Sequence, residues 1–343
     1  MKLPPVKRVV FALLAMTGSF AIMLMALVGA DLYAHSRVER SAGVNRHGYR
    51  GPVVGRKLPG ETRIVMLGGS TVFGFDVEVD ETVPALLERQ LVKATPNVRV
   101  VNLGYHQEAA VAFVPTLRSY EFLDYDAVLL YEGYNDILGD GSPNNAQRRH
   151  ASPVFRALGY FPVLPLVLRE KATFLRSGTG GMPAVFKPGV ARSTSAAAMD
   201  ATSAIAEALN RQLDRIVDPV ATGPQTGPGC AAPWSHYCGS VAAAVRYALD
   251  RGKSVLVIGQ PRLQYGDKQR HASQQGALAD MISRDFAGDD RVRYVDAGQV
   301  VDLSDNSIAF DGMHLNARGN AMVAAALAEP VRQMVARRRG VTP

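Results

Sequence analysis

Along the chain, short apolar runs alternate with stretches of helical spacing. The runs are RIVMLGG at 63–69, VRVVNLG at 98–104, DAVLLYEG at 126–133, SVLVIGQ at 254–260 and VRYVDAG at 292–298. Each reads as a strand buried on both faces, because a parallel strand covered by helices above and below has no solvent side to make polar. Helical spacing marks residues 81–94, 108–121, 195–217, 239–251, 268–287 and 316–338, the last with Pro330 inside it as an expected bend. Such alternation is the pattern of βαβ units. It predicts an α/β fold, a three-layer α/β/α sandwich around a parallel five-stranded sheet.

A different pattern precedes the first strand. Residues 9–30 carry no charge and lie between Lys7–Arg8 and Asp31. As a helix they would extend about 33 Å, the thickness of a bilayer's hydrocarbon core, so a short head at 1–8 and a transmembrane helix at 9–30 are expected. A cleavable signal peptide is the competing reading, since Gly29 and Ala30 offer small residues before a cut. Signal-peptide apolar regions run only about 7–15 residues, which favours an uncleaved anchor. Basic residues stand on both sides, Lys2, Lys7 and Arg8 before and Arg37, Arg40, Arg46 and Arg50 after. A short head and a long trailing domain then place the domain in the periplasm or outside the cell.

Residues 31–62, with HGYRGPVVGRKLPG, read as a linker or surface wrap, and 63–338 as the folded domain. An insertion at 137–194 follows the third strand and contains the apolar stretch VFRALGYFPVLPLVLREKATFL. It reads as a helical lid over the sheet edge, or as a surface facing membrane or an acyl chain.

The net charge of +7 is too mild to argue a nucleic-acid partner. Of the two cysteines, Cys230 and Cys238 flank His236 in GPGCAAPWSHYCGS. Outside the cytoplasm that spacing suggests a local disulfide. A zinc site is the weaker alternative, with no fourth ligand and no C-x-x-C. No cofactor motif is present: GGST lacks the lysine of a phosphate-binding loop, and H-E-x-x-H is absent.

Candidate chemistry sits where strands end, the usual ligand position of parallel sheets. Ser70 follows the first strand behind two glycines, at the start of a helix whose amides favour developing negative charge. Its hydroxyl needs a base, and His314 is the histidine after a late strand with a carboxylate, Asp311, three residues earlier. Asp311 would orient the imidazole and stabilise its charged form. An oxyanion would be bound by the amides of Ser70 and Gly104 and the side chain of Asn135. Taken singly, each of these signals also fits a turn or close packing.

Their order resembles the SGNH, or GDSL-type, hydrolases, which have Ser, Gly, Asn and His in four blocks. GYND at 133–136 and DGMH at 311–314 are the most specific matches, and the resemblance spans roughly residues 63–330. It implies a flavodoxin-like fold, Ser70 as nucleophile, Gly104 and Asn135 as oxyanion donors, and Asp311 with His314 as acid and base. Two departures stand out: GGST replaces the common G-D-S, losing a carboxylate beside the serine, and Gln107 stands where a further glycine is common.

The reading is therefore a membrane-anchored serine esterase acting on an acylated glycan or lipid. Transfer of the acyl group to a sugar, lysophospholipid hydrolysis, and a noncatalytic envelope scaffold remain open alternatives. Around the site, His106 is expected at the surface, Asp136 as a fixer of the strand-three loop, and Phe73, Tyr131 and Tyr134 as core.

Overall fold

A computed structural model describes residues 5–137, 152–165, 167, 229–264 and 268–338. The expected helix at 195–217 and most of the insertion at 137–194 lie outside the described residues.

Five strands form one parallel sheet: β1 (Thr62–Gly68), β2 (Val98–Asn102), β3 (Ala127–Tyr131), β4 (Ser254–Gly259) and β5 (Val292–Asp296). Their spatial order is β2-β1-β3-β4-β5, with every neighbouring pair parallel. This is the flavodoxin-like order, in which the chain reverses its direction of growth between β1 and β3 and leaves a crevice at their carboxyl ends. Ser70 stands at that crevice.

Side chains of the central strands alternate between two cores. Ile64, Met66, Leu129, Leu256 and Ile258 face one, with α3 (Val83–Val92) and α8 (Ala317–Arg338) packed over it. Val65, Leu67, Val128, Leu130, Val255 and Val257 face the other, covered by α4 (Phe113–Ser119), α6 (Ser235–Leu249) and α7 (Lys268–Asp285). Burying each such side chain contributes about 1.5–3 kcal/mol, which is why these strands tolerate no polar face. The edges differ from the expectation. Arg99 of β2 is exposed and every residue of β5 is only half-buried, because an edge strand lacks a neighbour on one side.

Two further helices are short, α2 (Ser70–Phe73) after β1 and α5 (Pro153–Leu158) in the insertion. The disulfide expected between Cys230 and Cys238 is formed, tying the loop before α6 to that helix and consuming the thiolates a zinc site would have used.

The N-terminal helix α1 spans Pro5–Ala42, well past the expected end at Ala30. Its apolar run is exposed throughout, and burial begins at Asp31. Of the segment expected as a linker or surface wrap, the part at 44–50 packs against the domain. Val44 and Arg50 bridge each other, Arg50 bridges Asn102 at the end of β2, and Val44, Tyr49 and Arg50 are buried.

Candidate active site

The turn after β1 is shaped by what surrounds it. A side chain on residue 69 would collide with the Asn135 amide and the Glu132 carboxylate, so only glycine fits there. Glu132 thus supplies, from the end of β3, a carboxylate beside the turn carrying Ser70 that the first sequence block lacks. Gly104 likewise admits the backbone of α2, since a Cβ there would meet Val72 and the Phe73 nitrogen.

Ser70 opens α2, and its Oγ lies 2.7 Å from Nε2 of His314, a residue 244 positions away in the chain. The imidazole's Nδ1 lies 2.6 Å from Asp311 Oδ2. The other carboxylate oxygen, Oδ1, accepts the backbone N–H groups of Met313 at 3.0 Å and His314 at 2.6 Å. One oxygen of Asp311 therefore shapes the loop while the other orients the ring. Burial pushes the Asp311 pKa up, but the His314 charge and these hydrogen bonds outweigh it and hold the carboxyl below its ordinary value. It is an anion beside the imidazole at neutral pH. The imidazole ring packs 4.6 Å from Phe75 and 6.0 Å from Phe310, a wall that restricts its rotation. A small cavity adjoining His314 is lined by Thr71, Phe75, Tyr131, Pro261, Met313 and Leu315.

The expected oxyanion donors converge on the same end of the sheet, but two already have acceptors. Gly104 N–H donates to Asn102 Oδ1 at 3.0 Å. The Asn135 amide donates to the Glu108 carbonyl at 3.0 Å and to Glu132 Oε1 at 3.2 Å. Buried amide hydrogens take whatever acceptor is at hand, and here the fold provides one for each. Ser70 N–H, in the first turn, receives no acceptor from its own helix.

Three residues outside the predicted set hold this arrangement. Glu132 is buried and its Oε1 accepts from the backbone N–H of Gly133 at 2.9 Å and of Asn135 at 3.2 Å, as well as from the Asn135 side chain. Burial raises its pKa to about 7 against those bonds. Asn102 donates to the Val72 carbonyl at 2.9 Å, pinning α2. Arg50, 4% exposed, donates to the carbonyls of Ala42 at 2.9 Å, Phe73 at 2.8 Å and Val77 at 2.6 Å, and also to that of Gly74. A sequence signal existed for two of them, since Asn102 and Glu132 are polar residues at the ends of apolar strands. None existed for Arg50.

His106 differs from its expectation as a surface residue. Its ring is half-buried, 4.0 Å from Phe73, and desolvation, the Arg50 charge and His314 keep it neutral. Asp136 is buried and accepts Ala110 N–H at 2.9 Å, tying the strand-three loop to the segment after β2. Phe73, Tyr131 and Tyr134 are buried in the core.

No protein-family model and no curated protein matches the chain. Among solved structures it is similar to a carbohydrate acetylesterase from Sinorhizobium meliloti, with 13% identity over 80% of this chain and 100% of the other and a TM-score of 0.40. A psychrotrophic esterase from Pseudoalteromonas sp. has 10% identity, covers 80% and 99%, and scores 0.44. An acetylxylan esterase from Geobacillus stearothermophilus has 11% identity, covers 81% and 96%, and scores 0.41. At these identities and scores, a function for this chain rests on its own geometry.

Proposed function

We propose that the chain is a serine esterase, anchored in a membrane by α1, that removes acyl groups from a glycan outside the cytoplasm. The observation carrying this reading is the 2.7 Å contact between Ser70 Oγ and His314 Nε2, with Asp311 on the imidazole's other nitrogen. A hydroxyl, a base and an orienting anion in one line are what nucleophilic acyl transfer requires.

In the first half-reaction Ser70 Oγ bonds to the ester carbonyl carbon as its proton passes to His314 Nε2. The carbonyl oxygen becomes an oxyanion, and Asp311 stabilises the imidazolium. Collapse expels the alkoxide, which takes the proton from Nε2 and leaves as the alcohol. Water then attacks the acyl-enzyme, His314 receives its proton, and the acid leaves as the proton returns to Ser70 Oγ.

An oxyanion is a stronger acceptor than the neutral Asn102 and Glu108 carbonyl groups that Gly104 and Asn135 meet at rest, while the other Asn135 bond, to Glu132 Oε1, is the longer of its two. The oxyanion therefore competes for those N–H groups and for that of Ser70 as charge develops. The Cys230–Cys238 disulfide supports a domain in an oxidising compartment, the periplasm or cell exterior. The exposed apolar run of α1 supports anchorage, since such a surface is stable in lipid and not in water.

Turnover of p-nitrophenyl acetate by the detergent-solubilised chain tests the reading. Ser70→Ala should abolish it together with fluorophosphonate labelling, and undiminished turnover in the variant would rule the assignment out.

A further inference from the structure

The apolar helix and the site are joined by a rigid connection. α1 is unbroken from Pro5 to Ala42. No residue of its run at 9–30 is buried, whereas Asp31, the first charge after that run, is covered by the domain. Beyond it Ala34, His35, Val38 and Ala42 form one covered or half-covered face at successive turns. Asp31 accepts the Leu164 N–H at 2.6 Å and the Tyr160 hydroxyl, and the His35 ring packs 5.6 Å from Tyr160. At the other end, the Arg50 guanidinium holds the Ala42 carbonyl at 2.9 Å and the Phe73 carbonyl at 2.8 Å. The last turn of the helix and the turn carrying Ser70 are thus fastened by one side chain.

This connection has a length. A charged residue already covered by protein marks the end of the lipid-facing segment, so the hydrocarbon boundary lies near Asp31. The helix from Asp31 to Ala42 rises about 16 Å, or about 15 Å at an ordinary tilt. Headgroups fill only about 5–7 Å of that height. The Ala42 and Phe73 carbonyls meet on one guanidinium and Ser70 lies within one helical turn of Phe73, so the level of Ser70 is tied to that of Ala42 to within about 12 Å. The acyl ester of a membrane lipid sits where hydrocarbon meets headgroup, about 15 Å below Ala42 and so below the range open to Ser70.

Building on the anchored-esterase reading, we infer that α1 is a ruler that holds Ser70 at a fixed height above the hydrocarbon boundary, selecting acyl groups on saccharides that project from the membrane over the acyl esters of its lipids. With no flexible linker between span and domain, the site has no means of dipping to the bilayer surface.

The full chain reconstituted in phosphatidylcholine vesicles provides the test. Its substrates are an O-acetylated disaccharide linked to lipid through ethylene glycol spacers of graded length, lysophosphatidylcholine, and soluble p-nitrophenyl acetate. Spacers too short to reach the site should lose turnover by about tenfold or more. Lysophosphatidylcholine should be cleaved more slowly than the best glycolipid. A polar helical insert of seven residues, Glu-Ala-Ala-Ala-Lys-Glu-Ala, between Ala30 and Asp31 adds about 10 Å while nearly restoring the helix face. It should leave p-nitrophenyl acetate turnover unchanged and move the preferred spacer outward. Turnover independent of spacer length, an optimum unmoved by the insert, or faster cleavage of lysophosphatidylcholine overturns the ruler while the esterase stands. Failure of the wild type to hydrolyse even p-nitrophenyl acetate overturns both.

Discussion

Arg50 and Phe73 are locked together by two contacts: the guanidinium donates to the Phe73 carbonyl at 2.8 Å and lies 4.6 Å over the centre of its ring. The same group serves the carbonyls of Ala42, Gly74 and Val77. Burial lowers its pKa to about 10, partly offset by Glu78 and Glu81, so it remains charged at neutral pH. A planar fork of donors is what four carbonyls from two segments require.

Arg50→Met should leave those carbonyls without their donor. An unmade buried hydrogen bond costs about 1–3 kcal/mol, so a loss of at least about 3 kcal/mol in stability is expected, with a fall in kcat on p-nitrophenyl acetate. Arg50→Lys should recover only part, because one ammonium cannot reach every acceptor. Urea unfolding and steady-state kinetics on the solubilised chain measure both, and a change below about 0.5 kcal/mol would contradict this role.

Gly69→Ala and Gly69→Asp should both inactivate. The added Cβ has to displace the Asn135 amide or the Glu132 carboxylate. Loss of one oxyanion donor lowers kcat by about 10² to 10³, and a comparable drop is expected with KM little changed. Restoring the G-D-S sequence common in the resembling family would therefore harm this chain, and an active Gly69→Asp variant would refute the packing argument.

Glu132 makes stability depend on pH. Its ordinary pKa of 4.5 is raised to about 7 in the fold, chiefly by burial. Between those values the folded chain holds a proton that the unfolded chain releases. The contribution is therefore complete below about 4.5 and declines as pH rises through about 7, by on the order of 3 kcal/mol. Glu132→Gln should flatten that decline, leaving the part due to Asp136, whose pKa burial also raises. Unfolding free energies at pH 5 and pH 8 measure the slope.

Reduction of Cys230–Cys238, or Cys230→Ser, releases a closure of 8 residues and should lower stability by about 2–3 kcal/mol. Ser70 labelling should persist under mild conditions, since neither sulfur belongs to the site. Melting with and without reductant reports the difference.

Much of this molecule is written in its local order. The apolar runs announce the strands because burial on both faces leaves no room for polar alternation. Ser70, Asp311 and His314 stand out because reactive groups at strand ends are few and the DGMH spacing pairs a carboxylate with an imidazole. The edge character of β2 and β5 was not legible, since exposure depends on which strand lies alongside, and strand order is a tertiary fact. Arg50 was invisible for the same reason: its acceptors, Ala42 and the turn at 73–77, lie on two segments that meet only after folding, and nothing near position 50 foretells them. Glu132 and Gly69 are the sharpest case. Sequence alone showed a carboxylate missing beside the serine, whereas the fold brought one in from another strand and left no space for a second.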